Sequence, residues 1–250
     1  MSDVVLVEQR DRVLLITLNR PDQMNSINSA LADGLWDAVQ RLDSEPGLTA
    51  GVLTGNGRGF CSGMDLKGFL AGEDISKFFQ FVKDGTQKPL IAAIEGFALA
   101  GGLELALTCD LLVAAKGAKL GIPEAGVGLF AGAGGLMRLP SRVGYGRAME
   151  MAITADPITA DAAFDYGLVA RLAEPGEAVA TALTLAERVA RNAPLSVAAS
   201  KQLVRAALGI TEDEFWEVQK GPFATVFGSN DAKEGPKAFA EKRAPNWTGT

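Results

Sequence analysis

The chain has 250 residues, 48% hydrophobic and 22% charged, which suits one large globular domain or one domain with a small appendage. A net charge of −6 with scattered Lys and Arg excludes a basic face for nucleic acid, and no apolar run approaches the roughly 20 residues that span a bilayer. Two cysteines make no disulfide framework, and the absence of histidine removes the commonest general base and metal ligand, so any enzyme chemistry must fall to carboxylates, lysines or backbone amides.

The opening Met1-Ser2-Asp3-Val4 lacks a basic patch followed by an apolar stretch, so no secretory leader is expected, and a cytoplasmic location follows from that and from the cysteine count. Val4 to Val7 and Val13 to Leu18 read as two short strands around a hairpin at Gln9-Arg10-Asp11-Arg12. Asn28 or Ser29 caps a helix toward Leu42, with Leu31, Leu35, Trp36 and Val39 on one face. Ala50 to Thr54, Pro89 to Ile94 and Leu111 to Ala115 read as short buried strands, and a helix starts near Ala100 or Gly101. Candidate helices follow over 147–154, 160–166, 177–191, 195–208, 212–227 and 231–243, interrupted by a strand at Leu168-Val169-Ala170-Arg171-Leu172. Strand-then-helix order predicts an α/β architecture, with strands ending near Leu172. The division expected is a core over 1–190 that carries the site and an α-helical region over 191–250. The closing Pro245 to Thr250 reads as a docked or frayed tail.

Glu104 is the only charged side chain between Glu95 and Asp110. Its helical neighbours at three and four places, Ala100, Gly101, Leu107 and Thr108, cannot pair with it, so it either lies on a water-facing stripe or is held for chemistry. Glu124 lies in Leu120-Gly121-Ile122-Pro123-Glu124-Ala125-Gly126, a turn that also lacks a cation nearby in sequence. Two carboxylates returned to one water-poor pocket repel, and burial disfavours charge on either; both effects raise a pKa and make an acid/base device without histidine. No cation is expected beside Glu104. Gly101-Gly102 opens a helix whose first N–H groups have no intrahelical partner, and these can bind a developing oxyanion. Arg58-Gly59-Phe60-Cys61-Ser62-Gly63-Met64-Asp65-Leu66-Lys67 is a second glycine-bearing loop entering a helix and could supply the other donor.

These residues carry a resemblance. Ile91 to Leu111, with Glu95-Gly96, Ala100-Gly101-Gly102 and Cys109-Asp110, resembles the signature of the enoyl-CoA hydratase/isomerase (crotonase) superfamily. Phe60 to Lys67 resembles its first oxyanion loop, and Asn19-Arg20-Pro21 with Asn25, Gly132-Ala133-Gly134-Gly135, Arg138-Leu139-Pro140 and Phe239 to Arg243 also fit, in the family's order over the whole chain. The resemblance implies a spiral of ββα units with a helical C-terminal trimerisation region, assembled as a homotrimer or dimer of trimers. It implies an enoyl-CoA hydratase, with an acyl-CoA thioester as substrate and no metal or separate cofactor. Glu104 and Glu124 match the two catalytic glutamates. The Met64 and Gly101 backbone N–H groups match the oxyanion hole. Met64, Asp65, Leu66 and Lys67 would line the CoA groove with Gly101, and Phe239 and Lys242 match positions where a neighbouring subunit's last helix meets the adenine and 3′-phosphate. An enoyl-CoA isomerase, another acyl-CoA lyase and a non-catalytic acyl-CoA-binding member are the alternatives. Departures cluster around the acyl pocket: Met64 for a small residue, Ala100 for the first of three glycines, Leu136-Met137 for Thr-Gln, Phe130-Ala131 for a residue followed by Pro, and a short stretch from Gly68 to Lys88.

Blander readings stand beside these. Lys67, Phe239 and Lys242 also suit solvated helix faces, Cys61 and Cys109 suit small buried hydrophobes, and Asp110 suits a turn cap. The run Gly55-Asn56-Gly57-Arg58-Gly59 after a strand fails the dinucleotide fingerprint because its third glycine would fall at Phe60. A Ser-His-Asp triad is excluded without histidine.

Overall fold

Apolar runs buried on both faces form the central strands of the main sheet. In the computed structural model, which describes residues 4–250, β1 (Val5–Arg10) and β2 (Val13–Leu18) pair antiparallel around Asp11-Arg12, with Asp11 at φ 52°. Met1-Ser2-Asp3, read above for a leader, lies outside those residues. A 3-10 turn at Pro21–Gln23 leads to α1 (Ser29–Ser44). Asn28 caps it, its side chain accepting from the Leu31 N–H at 3.1 Å, and Leu31, Leu35, Val39 and Leu42 are buried. The chain continues through β3 (Ala50–Gly55), α2 (Leu66–Leu70), α3 (Ser76–Asp84), β4 (Leu90–Ile94), β5 (Phe97–Leu99), α4 (Gly101–Thr108), β6 (Leu111–Ala115) and β7 (Lys119–Gly121). After a 3-10 turn at Pro123–Val127 come α5 (Gly135–Val143), α6 (Tyr145–Thr154), β8 (Ile158–Thr159), α7 (Ala160–Asp165), β9 (Arg171–Ala173) and α8 (Ala178–Ala190). The helices α9 (Pro194–Ala206), α10 (Glu212–Phe227) and α11 (Asp231–Ala240) complete it.

The large sheet has the order β1-β2-β3-β4-β6-β9 and is parallel from β2 onward; a small sheet has the order β5-β7-β8. The chain lays β4 in the large sheet, β5 in the small one, then α4; it repeats with β6, β7 and the 3-10 turn that carries Glu124. This is the spiral of ββα units expected above. It delivers both glutamates just past strands of the small sheet. The alanines Ala178, Ala182, Ala186 and Ala190 repeat every four residues along α8 and are buried against Val52, Ile91 and Val113 of the large sheet. Glu95 caps that helix, accepting from the Ala178 N–H at 2.9 Å.

Two sequence readings need correction. The strand expected at 168–172 forms only over Arg171–Ala173. The Leu168 and Val169 N–H groups instead bond the Ala163 carbonyl and close α7, so those two apolar residues are buried as a helix cap rather than a ladder. The helix entered after Arg58 to Lys67 forms as α2, whereas the strands β5, β7 and β8 and the helices α3 and α5 were not expected.

Asp110 accepts from the Leu90 N–H and pairs with Lys201 at 2.8 Å, pinning α9 to the core. The tail is docked: Asp231 accepts from the Thr248 and Gly249 N–H groups, and Trp247 Nε1 donates to the Arg191 carbonyl. Neither α9 nor α10 buries a residue within the chain. Among the described residues no helix is long and apolar enough to cross a membrane.

Candidate active site

Every residue of α4 except Gly101 is buried, so Glu104, at 3% exposure, lies on no water-facing stripe. Its Oε1 accepts from the Ala133 N–H at 2.7 Å and the Gly135 N–H at 2.9 Å. Gly134, at φ 96°, turns the loop so that both donors face it, and a methyl on Gly135 would sit 3.0 Å from Glu104 Cγ. Burial raises the Glu104 pKa; the Gly135 and Ala133 N–H groups and the Arg138 charge oppose this without cancelling it. Arg138 corrects the expectation that no cation lies near Glu104. Its guanidinium donates to the Ala133 and Val82 carbonyls, which also fixes the loop whose amides hold Glu104.

Glu124 follows β7, fixed by Pro123 in the 3-10 turn, and is 9% exposed. Its Oε2 is buried without a hydrogen-bond partner. Burial raises its pKa first; its own backbone N–H opposes this, and the Glu104 charge adds to the rise. The fold thus brings the two carboxylates within electrostatic reach, and both are biased toward holding a proton. A buried, unpartnered carboxyl oxygen is a rare feature that calls for a polar guest.

The Ile27 N–H donates to the Gly63 carbonyl at 2.8 Å and the Asp65 N–H to the Ile27 carbonyl at 2.9 Å. This parallel bridge uses the groups on either side of Met64, so the Met64 N–H points the other way. There it meets Gly101, the first residue of α4: the Cβ position of Gly101 lies 3.7 Å from Met64 N. Neither N–H has a protein acceptor among the described residues' hydrogen bonds, and Gly101 contributes the positive end of α4. Gly63, at φ 103°, is required by crowding as well, since a methyl there would lie 2.7 Å from Ala100 Cβ. Ala100 itself holds φ 50°, ψ −132°, a conformation that glycine adopts far more readily than alanine.

Asp65 caps α2, accepting from the Lys67 and Gly68 N–H groups, and pairs with Arg20 at 3.0 Å. Burial works against its charge, yet Arg20 and those amides hold its carboxyl below the usual range. Leu66 and Lys67 are exposed at the start of α2. Asn25, at φ 55°, has its Nδ2 within 2.9–3.1 Å of the Asn56, Gly59 and Phe60 carbonyls, which fixes the loop entering Cys61. Cys61 and Cys109 are buried free thiols pushed up to about 12 by burial. Within one chain the structure does not bring Phe239 or Lys242 to the glutamates: Phe239 is 86% exposed on α11, and Lys242 is exposed just beyond that helix.

Two cavities flank the site. One of about 440 Å³ contains Glu124 among Ile122, Leu129, Leu139 and Ala148, and one of about 290 Å³ contains Met64 with Ile27, Phe69 and Phe79. Two paired N–H donors can stabilise charge on a carbonyl oxygen while two carboxylates move protons at adjacent atoms, which suits addition across a conjugated double bond.

The family model for enoyl-CoA hydratase/isomerase matches residues 8–250. The chain belongs to that family. A solved enoyl-CoA hydratase of Mycobacterium marinum is 50% identical with a TM-score of 0.96, covering 99% of this chain and 100% of that one. An enoyl-CoA hydratase of Mycobacterium tuberculosis is 37% identical over 97% of this chain and 95% of its own length. A 2,3-dehydroadipyl-CoA hydratase of Escherichia coli is 35% identical over 100% of both. Within this enoyl-CoA hydratase/isomerase frame, the residues that sequence reasoning undervalued are Ala133, Gly135 and Arg138. Only the Gly132-Ala133-Gly134-Gly135 and Arg138-Leu139-Pro140 motifs signalled them, without a role, and two of the three act through backbone N–H groups.

Proposed function

We propose that this chain is an enoyl-CoA hydratase that adds water reversibly across the C2=C3 bond of a 2-enoyl-CoA thioester. The Met64 and Gly101 N–H groups hold the thioester oxygen. Glu104, oriented by Ala133 and Gly135, positions and activates a water whose oxygen bonds to C3; its lost proton passes to the glutamate pair. The C=C electron pair moves toward the thioester oxygen, giving an enolate-like state, and returns to take a proton at C2 from Glu124. Atoms balance as one water added, and neither metal nor redox group is required. The observation that carries this reading is the buried, unpartnered Glu124 Oε2 beside a second proton-biased carboxylate.

Met64, Asp65, Leu66, Lys67 and Gly101 border the groove proposed for CoA, with Phe239 and Lys242 contributed by a neighbouring subunit. A homotrimer or dimer of trimers in the cytoplasm completes the proposal. It is supported by the exposure of Trp216, Phe223 and Phe227 along α10. The test is incubation with 2-enoyl and 3-enoyl thioesters, followed by loss of the conjugated enoyl absorbance and by chromatography of products. A 3-hydroxyacyl product from the 2-enoyl ester is expected. Double-bond migration without hydration would assign an isomerase, and binding without turnover a non-catalytic member.

A further inference from the structure

Arg20 lies just after β2 and has no part in the proposed chemistry, yet its guanidinium is tucked beside the loop that carries Met64. Only 14% of its side chain and 16% of that of Asp65 are exposed, and Arg20 Nη2 meets Asp65 Oδ2 at 3.0 Å. The other arm of the fork, Nη1, donates to the Ser26 carbonyl. The Ser26 hydroxyl lies 3.3 Å from the same Asp65 oxygen. Asp65 Oδ1 accepts from the Lys67 and Gly68 N–H groups at 3.1 and 3.4 Å. Both carboxylate oxygens are therefore engaged within the protein, although Asp65 borders the groove proposed for CoA.

The two arms of the guanidinium fall on either side of the Ile27–Met64 bridge. Ser26 precedes Ile27 and Asp65 follows Met64, so one planar, rigid fork ties together the two segments that the Gly63 and Ile27 carbonyls also join. The turn that presents Arg20 is itself fixed: the Arg20 N–H donates to Asn25 Oδ1 at 2.9 Å, and Met24 and Asn25 hold φ 53° and 55°. From this we infer that Arg20 and Asp65 are positioning residues: their ion pair sets the direction of the Met64 N–H, one of the two donors to the thioester oxygen, without itself touching the substrate. The inference rests on the oxyanion role proposed for Met64. Losing an oxyanion donor outright costs about 10²–10³-fold in rate. Breaking the pair loosens the donor rather than deleting it, so the expected loss in kcat is about ten- to hundredfold.

The experiment compares Arg20→Met, Arg20→Lys, Asp65→Asn and the double variant of Arg20→Met with Asp65→Asn against the parent. Asparagine keeps a capping oxygen for α2, so Asp65→Asn removes the charge with that helix intact. Three quantities are read: kcat on 2-butenoyl-CoA, the calorimetric affinity for butyryl-CoA, and the infrared C=O band of bound butyryl-CoA carrying carbon-13 at the thioester carbonyl. In the parent, binding should move that band to lower frequency as the two N–H groups polarise the carbonyl. Arg20→Met and Asp65→Asn should each lower kcat about ten- to hundredfold, keep affinity within about threefold, and reverse part of the band shift. The double variant should lose no more than the worse single variant. Arg20→Lys, which keeps the charge but not the fork, should recover part of what Arg20→Met loses. Parental kcat in both single variants, additive losses in the double, or a fall in affinity that accounts for the fall in kcat with the band unmoved would overturn the inference and leave the hydratase reading intact. A parent that hydrates no enoyl thioester, yet shows a band shift that both variants reduce, would overturn the hydratase reading and keep the positioning role. A parent that binds butyryl-CoA with no band shift sinks the Met64 donor and this inference together.

Discussion

Ala100→Gly isolates the cost of building the oxyanion donors. Ala100 sits at φ 50°, ψ −132°, immediately before Gly101, and its Cβ crowds the space beside Gly63. A non-glycine residue held in such a region costs about 1–3 kcal/mol. Against that, glycine loses more chain entropy on folding, about 0.5–1 kcal/mol. Ala100 is half-buried, so little apolar area is given up with its methyl. The difference predicts a variant more stable by about 1 kcal/mol, which for a chain of this size raises the thermal midpoint by about 2–4 °C. Calorimetry or thermal circular dichroism at one fixed protein concentration reads this, because assembly also shifts the midpoint. The same relaxation loosens the Gly101 N–H, so kcat should fall several-fold while stability rises. A midpoint that is unchanged or lower would refute the claim that strain is stored at this residue.

Other outcomes follow from the same geometry. Gly135→Ala places a methyl 3.0 Å from Glu104 Cγ and 3.1 Å from Oε1, so kcat should fall about tenfold or more with the fold retained; steady-state kinetics with circular dichroism checks both. Glu124→Gln should change stability with a definite sign. The folded Glu124 pKa is raised above the ordinary 4.5, so its protonated form stabilises the fold below that value, and this contribution is lost as pH rises through the folded pKa. The neutral isostere should therefore unfold at a higher temperature than the parent near pH 7, with the gain vanishing near pH 4. For the parent enzyme, kcat should decline as pH rises through that elevated pKa, because Glu124 must carry a proton to deliver it to C2; a pH–rate profile reads the limb. Arg138→Met frees the Ala133 carbonyl and removes the cation that opposes the rise at Glu104, so it should move the Glu104 pKa further up and lower kcat.

The parts of the fold legible in sequence are those with sustained patterns. Val13 to Ile16 and Leu90 to Ile94 are continuous apolar runs because the large sheet is covered on both faces, and α1, α8 and α10 extend over 13–16 residues. β5, β7 and β8 have only two or three residues each and are fixed by pairing with distant chain, so no local pattern announces them. Leu168 and Val169 read as strand because buried apolar residues look alike whether they cap a helix or join a ladder. The glutamates stood out because each is a charge inside an apolar stretch. What holds Glu104 did not, since Ala133 and Gly135 donate through N–H groups that every residue but proline owns. Arg138 was hidden for another reason: only the folded loop carries it to the carboxylate.

The central claim is that Glu104 and Glu124 together perform acid/base catalysis while the Met64 and Gly101 amides bind the thioester. Single-turnover and steady-state hydration by Glu104→Gln and Glu124→Gln, each paired with a calorimetric acyl-CoA affinity, tests it most directly. Both variants should lose orders of magnitude in kcat and keep parental affinity for the thioester. Near-normal turnover in either would remove that glutamate from the chemistry, and a loss confined to affinity would recast it as a binding group.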